Sequence, residues 1–112
     1  MYQGTTPSII YNVKAYDLTS ATIFVDFKRG DNIFSKDSVH DGIQCSYSSD
    51  ENISTVVCEL SQEDTLAIKA GGVISQIRFI YEDGSAYATN EEEISVKRLI
   101  YPRVIQYGGG DA

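Results

Sequence analysis

The sequence predicts an all-β fold: an immunoglobulin-like β-sandwich of about seven strands, with one short helix between strands five and six. Three observations carry this expectation. Short runs that alternate apolar and polar side chains recur along the chain, bounded by Gly, Asp, Asn or Ser, as in half-buried antiparallel strands. The 112 residues are close to the roughly 100 of such a sandwich. A capped helical turn, Leu60–Lys69, interrupts the strands at a single place, where the chain would cross between sheets. Alternation alone leaves a closed barrel of about six or seven strands open as well, since the period is the same in both.

The elements follow in order. Ser8–Lys14 sets Ile9, Tyr11 and Val13 on one face against Ile10, Asn12 and Lys14. Ala21–Lys28 does the same with Ile23, Val25 and Phe27 against Thr22, Phe24, Asp26 and Lys28. Arg29-Gly30-Asp31-Asn32 has the composition of a tight turn into a short strand around Ile33–Lys36, and the polar Asp37–Gly42 reads as a loop. Ile43–Ser48 and Ile53–Leu60 form a hairpin across Ser49-Asp50-Glu51-Asn52. Ile43, Cys45 and Tyr47 share a face of the first strand, and Val56, Cys58 and Leu60 a face of the second. Ser61 is placed to accept from the Asp64 backbone while Asp64 reaches back, a capping box worth around 1 kcal/mol. Gly71 or Gly72 is expected to give the helix a left-handed exit. Gly72–Tyr81 and Ala86–Lys97 make the last long pair, turned by Asp83-Gly84. A single domain over residues 1–112 is expected, with its core at about 7–98 and a C-terminal tail at 99–112.

An apolar fraction of 42% with 22% charged residues excludes the low-hydrophobicity class of disordered chains. A net charge of −7 argues against a nucleic-acid or anionic-membrane partner, because both require clustered Lys and Arg. Met1–Pro7 has neither the basic residues nor the apolar stretch of a secretory signal, so a cytoplasmic origin is expected. The two cysteines and one histidine offer no zinc-ligand spacing, and no metal or cofactor is expected.

Several residues invite a site. Cys45 and Cys58 could stand opposite each other across the hairpin, although buried thiols behave as small hydrophobes and that reading is preferred. Arg29-Gly30-Asp31 matches an adhesive tripeptide and is better read as a turn, and Asn52-Ile53-Ser54 is a formal glycosylation acceptor without a secretory signal. His40 beside Asp41 lacks a nucleophile motif around it and reads as a solvated loop histidine. Glu91-Glu92-Glu93 would alternate faces on a strand, which suits a charged edge better than a calcium loop. Tyr11 and Tyr47 are expected to be structural. The tail Leu99-Ile100-Tyr101-Pro102-Arg103-Val104-Ile105-Gln106-Tyr107 is apolar and must either fold back on its own domain or dock on a neighbour.

The strand Ile9–Lys14 followed by Asp17-Leu18-Thr19-Ser20-Ala21, the Thr22–Phe27 strand, the Leu60–Thr65 turn, Gln76-Ile77-Arg78 and the Asp83-Gly84 hairpin with Ala88-Thr89 together resemble small structural proteins of phages and prophages of Gram-positive bacteria. They are similar to the immunoglobulin-like N-terminal domain of phage baseplate upper proteins. The resemblance covers most of residues 7–100. It implies a non-catalytic virion or tail-assembly protein, made in the bacterial cytoplasm and then carried in the virion. Its partners would be other phage structural proteins and further copies of itself, contacted by sheet edges and by Leu99, Ile100, Tyr101, Val104, Ile105 and Tyr107. The alternative is a carbohydrate-binding β-sandwich module, which would need exposed aromatic rings on one sheet face. No catalytic residues are expected in either case.

Overall fold

A computed structural model of the chain describes residues 1–68, 70–100, 103–108 and 110–111. The alternating runs become β1 (Ser8–Lys14), β2 (Thr22–Arg29), β3 (Asn32–Asp37), β4 (Gln44–Ser48) and β5 (Ile53–Glu59). A short helix α1 (Gln62–Ala67) follows, then β6 (Gly71–Ile80), β7 (Ala86–Ala88) and β8 (Glu92–Val96). In the tail, β9 (Ile105–Gln106) and β10 (Gly110–Asp111) form a minimal antiparallel pair.

Two separate antiparallel sheets form, which decides for the sandwich over the barrel. The smaller has the order β1-β5-β4; the larger runs β3-β2-β6, and β7 and β8 lie end to end along the far edge of β6. This is the strand order of an immunoglobulin-like sandwich whose first strand is reduced to the Met1–Gln3 segment. That segment lies parallel to the end of β8: Tyr2 bridges Lys97, the Lys97 N–H donates to the Met1 carbonyl at 2.7 Å, and the Gln3 N–H donates to the Lys97 carbonyl at 2.9 Å.

The faces assigned by period-two alternation are the faces that pack. Tyr11, Val13, Ile23, Val25, Phe27, Val56, Cys58, Val73, Ile77 and Phe79 point inward and are buried, joined by Leu18, Leu60, Ile68 and Val96. Burying aliphatic and aromatic side chains at roughly 1.5–3 kcal/mol each is what holds two sheets of this size together. Arg29–Asn32 is a two-residue hairpin with Gly30 at φ +59°, the glycine-first arrangement that suits the twist of paired strands.

Three local expectations are corrected. The extended run Ala86–Lys97 is divided, because Thr89 enters the ladder with its side chain. Its hydroxyl accepts from the Ile77 N–H at 3.1 Å, its N–H donates to the Ile77 carbonyl at 2.9 Å, and its carbonyl accepts from Gln76 Nε2 at 2.8 Å. The helix is shorter than Leu60–Lys69, and the end of that span, Lys69, lies outside the described residues. Its capping box is present, but it leaves through an extended Ile68 (φ −80°, ψ 122°), while Gly71, at φ +125°, instead opens β6. A left-handed glycine is not required because Gln3 Nε2 donates to the Ile68 carbonyl at 3.0 Å and satisfies the helix end from outside. Finally, the hairpin register places Cys45 opposite Val56, with Cys58 two residues further along and paired to Ile9 of β1. Both cysteines are free, and burial pushes the Cys58 thiol up to about 11, which makes it a core residue.

Candidate functional site

The strand registers place the β1–β2 and β6–β7 connections and the β4–β5 hairpin at one end of the sandwich, here the loop end. Helix α1, the N-terminal segment and the tail occupy the other, the helix end.

At the helix end the site is built outward from α1. Six residues are too few to hold a helix by themselves. Ser61 Oγ accepts from the Asp64 N–H at 3.1 Å, Asp64 Oδ2 accepts from the Ser61 N–H at 2.8 Å, and Lys36 Nζ reaches the same carboxylate at 2.5 Å. Burial pushes the Asp64 carboxyl up, yet the Lys36 and Ser61 hydrogen bonds outweigh it and hold the group below its ordinary value. The buried Thr65 hydroxyl donates to the Thr5 carbonyl at 2.9 Å, strapping the N-terminal segment over the helix. Gly4 takes φ +71°, which L side chains rarely adopt, and a Cβ there would also displace Leu99 Cδ1, 2.5 Å away.

The tail is attached to this assembly in two ways. Leu99 and Val104 are half-buried. At Ile105 the attachment is to the backbone: Gln62 Oε1 accepts from the Ile105 N–H at 2.7 Å, and Gln62 Nε2 donates to the Ile105 carbonyl at 3.0 Å. The side-chain amide thereby acts as one residue of a neighbouring strand. The apolar side chains are left out in solvent: Ile105 is 64% exposed, Ile100 105% and Tyr107 109%. Tyr101 lies outside the described residues.

A second feature lies along one side of the sandwich. The larger sheet is four strands across and the smaller only three, so β7 and β8 overhang the free edge of β1. Between them is a cleft of about 360 Å³ with Ile77 and Phe79 in its floor, Tyr11, Val13 and Tyr16 on the β1 side, and Thr89, Asn90 and Glu92 on the other. Glu92 is paired with Ser75, whose hydroxyl lies 2.5 Å from Tyr11 Oη. Burial is the main force pushing the Tyr11 phenol up to about 12, with Glu92 adding a smaller push in the same direction.

The loop end is closed by aromatic rings that sequence reading missed. Tyr16 packs on Phe79 at 5.2 Å and on Tyr87 at 5.1 Å, and Phe79 packs on Tyr87 at 5.4 Å and on Tyr81 at 5.8 Å between centroids. The Asp83-Gly84 turn carried part of the signal, since that hairpin pairs Phe79 with Tyr87. Nothing in the sequence pattern brings in Tyr16. Ser54, fully buried, donates to the Tyr16 carbonyl at 2.7 Å and accepts from the Leu18 N–H at 2.9 Å, which fixes the connection that carries this ring.

The other candidates fall elsewhere. His40 is exposed on its loop, where Nδ1 lies 3.0 Å from Asp37 Oδ1, and Asn52 Oδ1 accepts from the half-buried Tyr47 hydroxyl at 2.6 Å. Glu91, Glu92 and Glu93 are exposed along the β8 edge. No group of three potential metal ligands occurs among the described residues, and none of the described helices is long and apolar enough to cross a membrane. On the outer face of the larger sheet, a groove of about 680 Å³ is crossed by Asp26 and Arg78, whose Nε and Oδ2 are 2.5 Å apart. No protein-family model, curated protein or solved structure matches the chain.

Proposed function

We propose that the protein is a non-catalytic structural component that works through protein–protein contacts made by its tail, of the kind that builds virions or tails in phages and prophages of Gram-positive bacteria. The observation that carries the reading is the tail itself. Its backbone is held at Ile105 by Gln62, while the side chains of Ile100, Ile105 and Tyr107 remain exposed. Large apolar side chains ordered in solvent gain their burial only when another surface covers them. The sequence resemblance supplies the setting: synthesis in the bacterial cytoplasm, then residence in the particle among other structural proteins and copies of this chain.

The reading predicts concentration-dependent association of the full chain in sedimentation velocity. The triple variant Ile100→Ser, Ile105→Ser and Tyr107→Ser should remain folded by circular dichroism and sediment as a monomer. A folded triple variant that associates like the parent would refute the role of the tail.

A second reading, a carbohydrate-binding module, draws on Tyr16 and Tyr87, exposed at 37% and 43% beside the cleft. It is the weaker of the two, because Tyr87 stacks on Phe79 and Tyr16 packs against both rings, which turns part of their surface inward. Titration with cell-wall oligosaccharides while following tyrosine fluorescence separates the readings.

A further inference from the structure

Surface charge is divided along the strand axis. The three connections that form the loop end, residues 15–21, 49–52 and 81–85, carry Asp17, Asp50, Glu51, Glu82 and Asp83, all exposed, and contain no Lys or Arg. Lys14, at the end of β1, is the cation beside them. Hydrogen bonds join the three connections into one face: the Ala15 N–H donates to the Asn52 carbonyl at 2.8 Å, and Tyr81 Oη donates to the Asp17 carbonyl. Most of the aromatic surface here is used internally, but Tyr16, Ile80 and Tyr87 keep exposed parts, and a groove of about 430 Å³ runs along Ile80, Ala86 and Tyr87. Arg78 lines this groove too, with its guanidinium already paired to Asp26. An apolar patch with a polar rim marks a contact surface.

We propose that copies of the chain join end to end, the loop end of one receiving the tail of the next. The inference rests on the proposed role of the tail and names its receptor. The tail is the counterpart of the loop end in both respects: Ile100, Ile105 and Tyr107 are exposed, and between Val96 and Gly110 the chain contains Lys97, Arg98 and Arg103 and no acidic residue. The anions of the helix end, Asp31, Glu59, Glu63 and Asp64, belong to the sandwich and to α1, and Asp64 is already paired with Lys36. Opposite charge therefore favours tail against loop end, while contacts between two tails or two loop ends set like charges together. A chain cannot satisfy itself in this way. Gln62 holds its tail at the helix end, and the ten residues of β6 separate that end from the loop end by about 33 Å. Each copy offers one tail and one receptor, so the contact is head-to-tail and propagates into a ring or a filament.

The test is sedimentation velocity on the full chain and two variants, alone and mixed. The loop-end variant carries Asp50→Lys, Glu51→Lys and Glu82→Lys, whose side chains make no hydrogen bond among the described residues, and the second is the triple tail variant. The parent should form species larger than a dimer, weakened about tenfold when salt is raised, because exposed charges are screened. Each variant should be monomeric alone and folded by circular dichroism. Mixed in equal amounts they should form a heterodimer and nothing larger, since the mixture holds one intact tail and one intact receptor per pair. Should the reversed charges impair folding, the neutral set Asp50→Asn, Glu51→Gln and Glu82→Gln should still associate about tenfold more weakly than the parent at low salt. A folded loop-end variant that associates like the parent, or a mixture of folded variants that stays monomeric, overturns the proposal. If the triple tail variant alone still abolishes association, the role of the tail stands and only its receptor is wrong.

Discussion

At the loop end, the Tyr16–Leu18 connection is pinned by one buried hydroxyl, Ser54, and Phe79 is ringed by Tyr16, Tyr81 and Tyr87. Tyr81 Oη also donates to the Asp17 carbonyl at 2.9 Å, so side chains from three segments close this end over apolar surface. At the helix end, the tail is ordered at Ile105 through main-chain groups, and the side chains of Ile100, Ile105 and Tyr107 stay outside. Ordering by side-chain burial uses up the hydrophobic surface that would attract a partner. Ordering by backbone hydrogen bonds leaves that surface available, at a net gain of only about 0.5–1.5 kcal/mol per bond. The contrast places buried aromatic surface at one end and exposed apolar side chains at the other.

The largest test of this contrast is Phe79→Ala. It removes the ring on which the loop end closes and should cost about 3–5 kcal/mol in urea unfolding. A loss below 1 kcal/mol would mean that the aromatic cluster is not what closes that end.

A smaller effect is expected beneath the tail, at the Asp64–Lys36 pair. Asp64 is held below its ordinary value, so its contribution is complete above the unfolded value of 3.8 and disappears as the pH falls through the lower folded one. Burial draws the Lys36 ammonium down, but the Asp64 hydrogen bond and charge outweigh it and leave the group above 10.5. Its contribution is therefore complete below 10.5 and is lost as the pH rises through the folded value. Asp64→Ala should cost about 1 kcal/mol at neutral pH, the usual size of a helix cap, and this difference from the parent should vanish in acid. A difference that does not shrink as the pH falls below 3.8 would assign the loss to packing instead.

The smallest stability effect is expected for Gln62→Ala, about 0.5 kcal/mol, because the hydrogen bonds of this half-buried side chain hold only the tail. The Ile105 amide should nevertheless exchange markedly faster with solvent. Unchanged protection would show that something other than Gln62 orders the tail.

The strands were legible because each buries one face, and a period of two leaves little freedom in Tyr11–Val13, Ile23–Phe27 or Val56–Cys58. Register was less legible. Cys45 and Cys58 share the inward face of the sandwich, but the hairpin offset puts Val56 between them, and composition does not encode offsets. Ala15 takes φ +71° without being glycine, stabilised by its N–H bond to the Asn52 carbonyl at 2.8 Å, a long-range effect with no local signal. The tail was visible as apolar sequence. The grip of Gln62 was not, because a single glutamine forty-odd residues away follows no pattern.

Gln62 touches only the peptide groups of Ile105, which every amino acid except proline presents in the same form. The latch is therefore indifferent to what it holds. The exposed side chains of Ile105 and Tyr107 can be exchanged without loosening this latch, so the surface the segment presents can be rewritten while the sandwich behind it stays unchanged.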